Sequence, residues 1–332
     1  MSTNRRTPSR LRTSRSSVKS RVDSTGGSPA KSLTVRSFAK VNLGLKLAGR
    51  RADGYHELRT VFQSVDLSDR LTFTSRRDSR IILKCSDVQL PLTEDNLVVA
   101  AAERFFSATG SRRGVDIFLE KRIPVGAGLG GGSSNAAITL LTLCRLFHLE
   151  LTPDQLLEIA FSLGSDVPFF LLGGRALGIG RGNELFPLPD VKAQAMLVAS
   201  PEDLRIRTQE AYERASLWLT NGRRANNMAR FGSAVFEKVS ALELFENDFE
   251  SVLFPEYPEL QYLKAALLAG GARSAQMTGS GSAVFGLFPS ISDARRAEKG
   301  LRARLSASSL LTFVVRSIPR SQYLKRIFAA SE

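Results

Sequence analysis

The chain has 332 residues, 43% of them hydrophobic, a length that holds two domains with cores of their own. Its two cysteines, Cys85 and Cys144, and its two histidines, His56 and His148, show neither disulfide nor metal-ligand spacing, which suits a reducing, cytoplasmic setting. No apolar run reaches membrane-spanning length and no signal-peptide core is visible, so no membrane partner is expected.

The formal net charge is +14, unevenly spread. Residues 1–32 hold eight of the 46 Lys and Arg and one of the 32 Asp and Glu, a net +7, and the remaining residues carry the other +7. This Ser-, Thr- and Arg-rich segment has too few large apolar residues to fold and reads as a disordered basic tail. A nucleic-acid arm and a plastid transit peptide are alternative readings of it; a nucleic-acid partner is not expected. After the tail, Leu33 to Leu47 reads as a strand through Thr34, Val35, Phe38, Val41 and Leu43. Arg51-Ala-Asp-Gly-Tyr-His56 contains a turn signal at Asp53-Gly54. Val61 to Val65, Leu71 to Ser75 and Arg80 to Lys84 read as further strands. Asn96 to Thr109 reads as a helix closed by Gly110.

Gly114 to Glu120 alternates as a strand, and Ala136 to Leu149 reads as a buried helix in which His148 is structural. Between them lies Pro124-Val-Gly-Ala-Gly-Leu-Gly-Gly-Gly-Ser-Ser-Asn-Ala-Ala137. Glycines let backbone approach a ligand closely, and the helix that follows offers unpaired N–H groups and a favourable dipole, a geometry that suits phosphates. The segment formally contains G-x-G-x-x-G, but the next element, Thr152 to Leu163, reads as a helix rather than the strand that a dinucleotide site requires. It also lacks the lysine of a Walker A loop. Thr152-Pro-Asp-Gln155 is a capping box with Pro at the first helical position. Asp166 follows Gly164, ahead of the apolar run Val167 to Leu172; taken alone, it reads as a helix cap. Gly173-Gly174 and Gly178 to Gly182 break the chain, and the domain boundary is expected just after, giving domains 33–185 and 186–332. The second half reads strand 193–199, helix 207–218, helix 258–269, strand 273–278, strand 283–288, helix 292–305 and strand 311–316. That order suggests a split βαβ sandwich.

Pro124 to Ala137 closely resembles the phosphate-binding motif of the GHMP kinase family, which includes galactokinase and the homoserine, mevalonate and phosphomevalonate kinases. Further stretches resemble the family in the same order: Phe38-Ala-Lys-Val-Asn42 (with Phe38 where Pro is usual), Leu163-Gly-Ser-Asp-Val-Pro168, and Met277-Thr-Gly-Ser-Gly281. Arg51 to His56 resembles one branch, whose acceptor is a cytidine diphosphate methylerythritol. The resemblance implies an α+β, two-domain GHMP kinase fold. Its N-terminal half would be a mixed sheet with helices and the glycine loop, its C-terminal half a ferredoxin-like split βαβ sandwich. It implies ATP with Mg²⁺, without naming a metal ligand, and phosphorylation of the 2-hydroxyl of that small-molecule acceptor in isoprenoid precursor biosynthesis. Another GHMP activity, of the homoserine or mevalonate type, is the alternative. Lys40 and Asp166 would be catalytic, Asp166 as base. ATP would be held by Pro124, Val125, Gly126, Ala127, Gly128, Leu129, Gly130, Gly131, Gly132, Ser133 and Ser134. Asn96 and Lys121 resemble positions near the adenine pocket, although as residues alone they read equally as surface positions. Asn42, Tyr55, His56, Thr208 and Tyr212 would hold the acceptor.

Overall fold

A computed structural model of the protein describes residues 30–52, 54–220, 246–304 and 310–329. The basic tail, residues 1–29, and the turn residue Asp53 lie outside the described residues. The described residues from Lys31 onward form one compact unit.

Strand β1 (Ser32–Arg50) runs antiparallel to β2 (His56–Arg76) along its full length, from Ser32 opposite Thr74 to Arg50 opposite His56. The expected strands at 61–65 and 71–75 are therefore one. Pairing with β1 continues on both sides of a bulge at Asp66–Leu67, with Ala39 opposite Val65 and Phe38 opposite Ser68, and Asp69 is satisfied by tertiary contacts. The first sheet is completed by β3 (Ile81–Cys85), β4 (Gly114–Glu120), β5 (Arg175–Ile179) and β6 (Glu184–Pro187), in the order β3-β4-β2-β5-β6 with β1 on β2. Only β3 and β4 are parallel, so the sheet is mixed. The β5–β6 hairpin is absent from the sequence reading, which took its glycines only as breaks.

Helices α1 (Leu97–Thr109), α2 (Gly131–Phe147), α3 (Pro153–Leu163) and α4 (Val167–Leu172) build one core with this sheet, α3 lying on the other helices, with Phe73, Phe105, Leu140 and Phe169 among the fully enclosed side chains. The Thr152–Gln155 box caps α3 as expected, and Asn96, read as the first residue of α1, is instead its N-cap. Helix α2 starts at Gly131 rather than Ala136. Gly and Ser are poor helix formers, and burial of this turn overrides that preference.

The second sheet joins β7 (Ala195–Pro201), β8 (Ser274–Met277), β9 (Val284–Phe288) and β10 (Leu310–Arg316) in the all-antiparallel order β10-β7-β9-β8. With α5 (Thr208–Thr220), α6 (Asp248–Leu253), α7 (Pro258–Ala269) and α8 (Ile291–Arg304), it builds the expected split βαβ layer. The strand period of two divides its faces. Leu197 and Ala199 pack towards the helices; Met196 and Val198 pack onto Ala39, Val41 and Leu43 of β1, joining the two sheets through a shared core.

Two details shift the expected domain limits. A boundary at 185/186 cuts β6, whose Pro187 pairs with Ala176 in the first sheet, so the sheets part between Pro187 and Ala195. The closing helix α9 (Arg320–Phe328), also absent from the sequence reading, returns to the first core. There it buries Tyr323 and Ile327, and the Tyr323 hydroxyl donates to Phe170 O at 3.0 Å.

Candidate active site

A cleft of about 940 Å³ opens between the glycine loop, the β1–β2 ribbon and α5. Lys40, Asn42, Tyr55, His56, Asn96, Lys121, Asp166, Thr208 and Tyr212 all line it, together with the loop from Pro124 to Ser133. These residues span 173 positions of sequence, and only the fold brings them together.

The floor is built on β1. Lys40 and Asn42 are two apart on a strand and share a face, while bulges at Phe38/Ala39 and Asn42/Gly44 re-aim the strand. The Lys40 side chain is 4% exposed, and its Nζ stands 3.4 Å from Asp166 Oδ2. It also donates to Asn42 Oδ1 at 2.6 Å. Asn42 Nδ2 donates in turn to Thr60 Oγ1 at 2.7 Å, and the Asn42 backbone N–H reaches Thr278 Oγ1 at 3.0 Å. The Asn42 amide is thus committed to aiming the ammonium, a positioning part that the resemblance did not imply. Asp166 precedes α4 at its N-cap position but makes no side-chain cap bond. Its carboxylate, about one-third exposed, faces the cleft beside Lys40.

The loop above is fixed at both ends. Asp69, fully buried, accepts the backbone N–H groups of Arg122 and Ile123 at 2.7 and 2.8 Å on Oδ1. Its Oδ2 takes Lys121 Nζ at 2.8 Å and Asn135 Nδ2 at 2.9 Å. The Lys121 ammonium also donates to the Ile123 carbonyl, so this lysine anchors the loop entrance from the cleft wall. At the loop centre, Ala283 N–H donates to Ala127 O at 3.1 Å. A Cβ on Gly128 would strike the Thr278 carbonyl oxygen, so the Thr278–Gly281 turn approaches the loop backbone itself. Gly130 has φ of 70° and packs against Phe170 and the Lys40 stem, leaving no room for a side chain.

Gly130 is the N-cap of α2 and supplies no side-chain cap. The first N–H groups of the helix, at Gly131, Gly132 and Ser133, have no intrahelical acceptor and lie along the cleft. This concave row of donors, at the positive end of a 17-residue helix, fits a chain of phosphates. Ser133 lines the cleft, whereas Ser134 departs from expectation. Ser134 is fully buried; its hydroxyl donates to Phe38 O at 2.7 Å and accepts from Ser37 at 2.6 Å, and its N–H closes onto Gly130 O. The helical period turns the second serine from the cleft into the core. Asn96 lines the cleft while capping α1 and donating to Pro91 O.

The far end is aromatic. Tyr55 is 51% exposed. His56 is buried, with Nε2 2.8 Å from Ser216 Oγ, and stacks on Tyr212 with ring centroids 5.2 Å apart. Phe249 holds the other side of Tyr212 edge-on at 5.0 Å. Burial, with the nearby Asp166 charge adding to it, raises the Tyr212 phenol far above its ordinary pKa, so it stays neutral. Thr208 Oγ1 accepts from Ser280 at 3.3 Å, linking α5 to the Thr278–Gly281 turn. Among the described residues, no three His, Cys, Asp or Glu side chains form a metal cluster, and no helix is long and apolar enough to cross a membrane. Asp69, Thr60 and Asn247, which holds Met277 O and Gly279 O at 2.8 Å, escape the sequence reading because each is a lone polar residue whose partners are distant in sequence.

Two family models match the chain: the GHMP kinases N terminal domain over residues 96–174 and the GHMP kinases C terminal domain over residues 224–307. A 4-diphosphocytidyl-2-C-methyl-D-erythritol kinase of Solibacter usitatus is 45% identical over 258 residues, 76% of this chain and 80% of the relative. The kinase of the same name from Moorella thermoacetica is 41% identical over 86% of this chain and 99% of its own. A crystal structure of 4-(cytidine 5'-diphospho)-2C-methyl-D-erythritol kinase superposes with TM-score 0.71 at 36% identity, covering 86% of this chain and all of that one. A mevalonate kinase of L. major superposes with TM-score 0.67 at 13% identity, a likeness of fold alone.

Proposed function

The chain belongs to the GHMP kinase family, and from that premise we propose that it transfers the γ-phosphoryl group of ATP to the 2-hydroxyl of 4-diphosphocytidyl-2-C-methyl-D-erythritol. The observation that carries this reading is the Lys40–Asp166 pair, 3.4 Å apart, in one cleft with the glycine loop and the Tyr55–His56–Tyr212 cluster. Phosphoryl transfer asks for positioning and charge stabilisation more than covalent chemistry. Gly131, Gly132 and Ser133 would hold the ATP phosphates through backbone N–H groups. Asp166 would accept the proton of the attacking hydroxyl. Lys40, aimed by Asn42 and Thr60, would stabilise the developing alkoxide. Asn42 and Lys121 act through these groups, the first by orienting Lys40 and the second by fixing the loop. Asn96 remains the proposed adenine-side residue.

Mg²⁺ belongs to the same proposal. Among the described residues no three carboxylates form a cage for it, which fits an ion held mainly by phosphate oxygens, with the Ser133 hydroxyl beside the loop among the cleft groups at hand. When bound, the ion would neutralise phosphate charge. Tyr55 and Tyr212 supply flat rings at the acceptor end, and the Ser216 bond fixes the His56 ring beside them. The test is direct. With ATP labelled at the γ position, label should enter a phosphate monoester only when the cytidine acceptor is present; mevalonate and homoserine should stay unlabelled. Transfer to either of those instead would replace this reading.

A further inference from the structure

Arg181 sits in the tight connection between β5 and β6, which is pinned by Gly182 N–H on Ile179 O at 2.9 Å and by Leu58 N–H on Gly180 O at 2.7 Å. That connection lifts the guanidinium over Tyr55, with Cζ 3.4 Å from the ring centroid, at the aromatic end of the cleft. Among the described residues, three Lys and Arg side chains line the cleft: Lys40, Lys121 and Arg181. Lys40 is engaged by Asp166 and Lys121 by Asp69. Arg181 has no acidic partner among the described residues, and its Nε is buried without a hydrogen-bond partner.

An acceptor that carries a diphosphate would meet Asp95, Asp166 and Glu213 on the same walls. Its two phosphate charges need a cation that is not already spoken for. Guanidinium suits this task because its planar fork pairs phosphate oxygens bidentately. We propose that Arg181 is a specificity-determining residue that reads the diphosphate of the cytidine-diphosphate acceptor; this rests on the acceptor reading above. Turning from the ring to a phosphate gives Nε the acceptor it lacks. It also uncovers a face of Tyr55 on which the base can stack, so base and guanidinium exchange places on one ring.

The experiment separates the diphosphate from the base. Wild type, Arg181→Gln and Arg181→Lys are titrated with cytidine and with CDP, and acceptor kinetics are measured on each. We expect Arg181→Gln to weaken CDP binding about tenfold while cytidine changes less than about twofold. KM for the acceptor should rise by a similar factor, with kcat and KM for ATP nearly unchanged, and Arg181→Lys should recover part of the loss. Equal losses for cytidine and CDP, or no loss for either, would overturn the proposal. A wild-type protein that binds CDP but phosphorylates no cytidine acceptor would refute the function proposed above. The CDP-to-cytidine ratio would still decide the part of Arg181.

Discussion

Asp166 and Lys40 occupy unlike settings, and their variants should fail in unlike ways. Asp166 is a cap residue whose carboxylate caps nothing, so Asp166→Asn removes a proton acceptor without removing a structural bond. We expect a folded protein that binds ATP normally and turns over about 100-fold more slowly or worse. Lys40 is buried in a bonded row with Asn42 and Thr60, so Lys40→Met should lose turnover to a similar extent together with some stability. Single-turnover rates and thermal midpoints on both variants check this. Neighbouring serines give a sharper contrast. Ser133→Ala should weaken ATP use and leave stability alone. Ser134→Ala should cost about 1–3 kcal/mol, by removing the buried hydroxyl that bonds the Phe38 carbonyl and Ser37, with little change in KM for ATP. Urea unfolding and ATP kinetics on the pair would expose a reversal of these roles.

At the scale of elements, the glycine loop is held open by what lies beneath it rather than by its own residues. Asp69 bonds two loop N–H groups, Lys121 and Asn135 at once. Asp69→Ala should leave a buried ammonium unpaired and cost about 3–5 kcal/mol. Asp69→Asn, which keeps one carbonyl oxygen, should lose less stability but still weaken ATP binding; denaturant midpoints and ATP affinity together test this. A loss confined to ATP affinity, with stability intact in Asp69→Ala, would show that the loop is braced elsewhere. Lys40, Asp166 and the loop were singled out in sequence through their resemblance to family motifs, each a short run of adjacent residues. Asp69 was not, because the bonds that make it useful span 52 to 66 positions, and in sequence an Asp near a Ser looks like a turn. The same limit hid the direction of Ser134 and the hairpin that carries Arg181. Both depend on where a glycine-rich backbone is pinned, which periodicity does not report.

For the whole molecule, the two sheets share one core in which Ala39, Val41 and Leu43 of β1 meet Met196, Val198 and Phe285, while α9 returns to the first half. The floor, the loop and the Thr278–Gly281 turn thereby belong to a single packed body, and the phosphate end of the cleft keeps a fixed relation to the aromatic end. That relation is what makes specificity for a nucleotide-bearing acceptor possible. Stacking on Tyr55 gains affinity for any base, whereas discrimination needs hydrogen bonds to the base edge. A site built for cytosine leaves buried polar groups unpaired when uracil enters, a larger penalty than a missing methylene. The decisive measurement is kcat/KM for the cytidine and uridine forms of the diphosphate acceptor, side by side on the wild-type protein. We expect a preference for cytidine of about 100-fold or more. Equal values would contradict a cytidine-specific acceptor site.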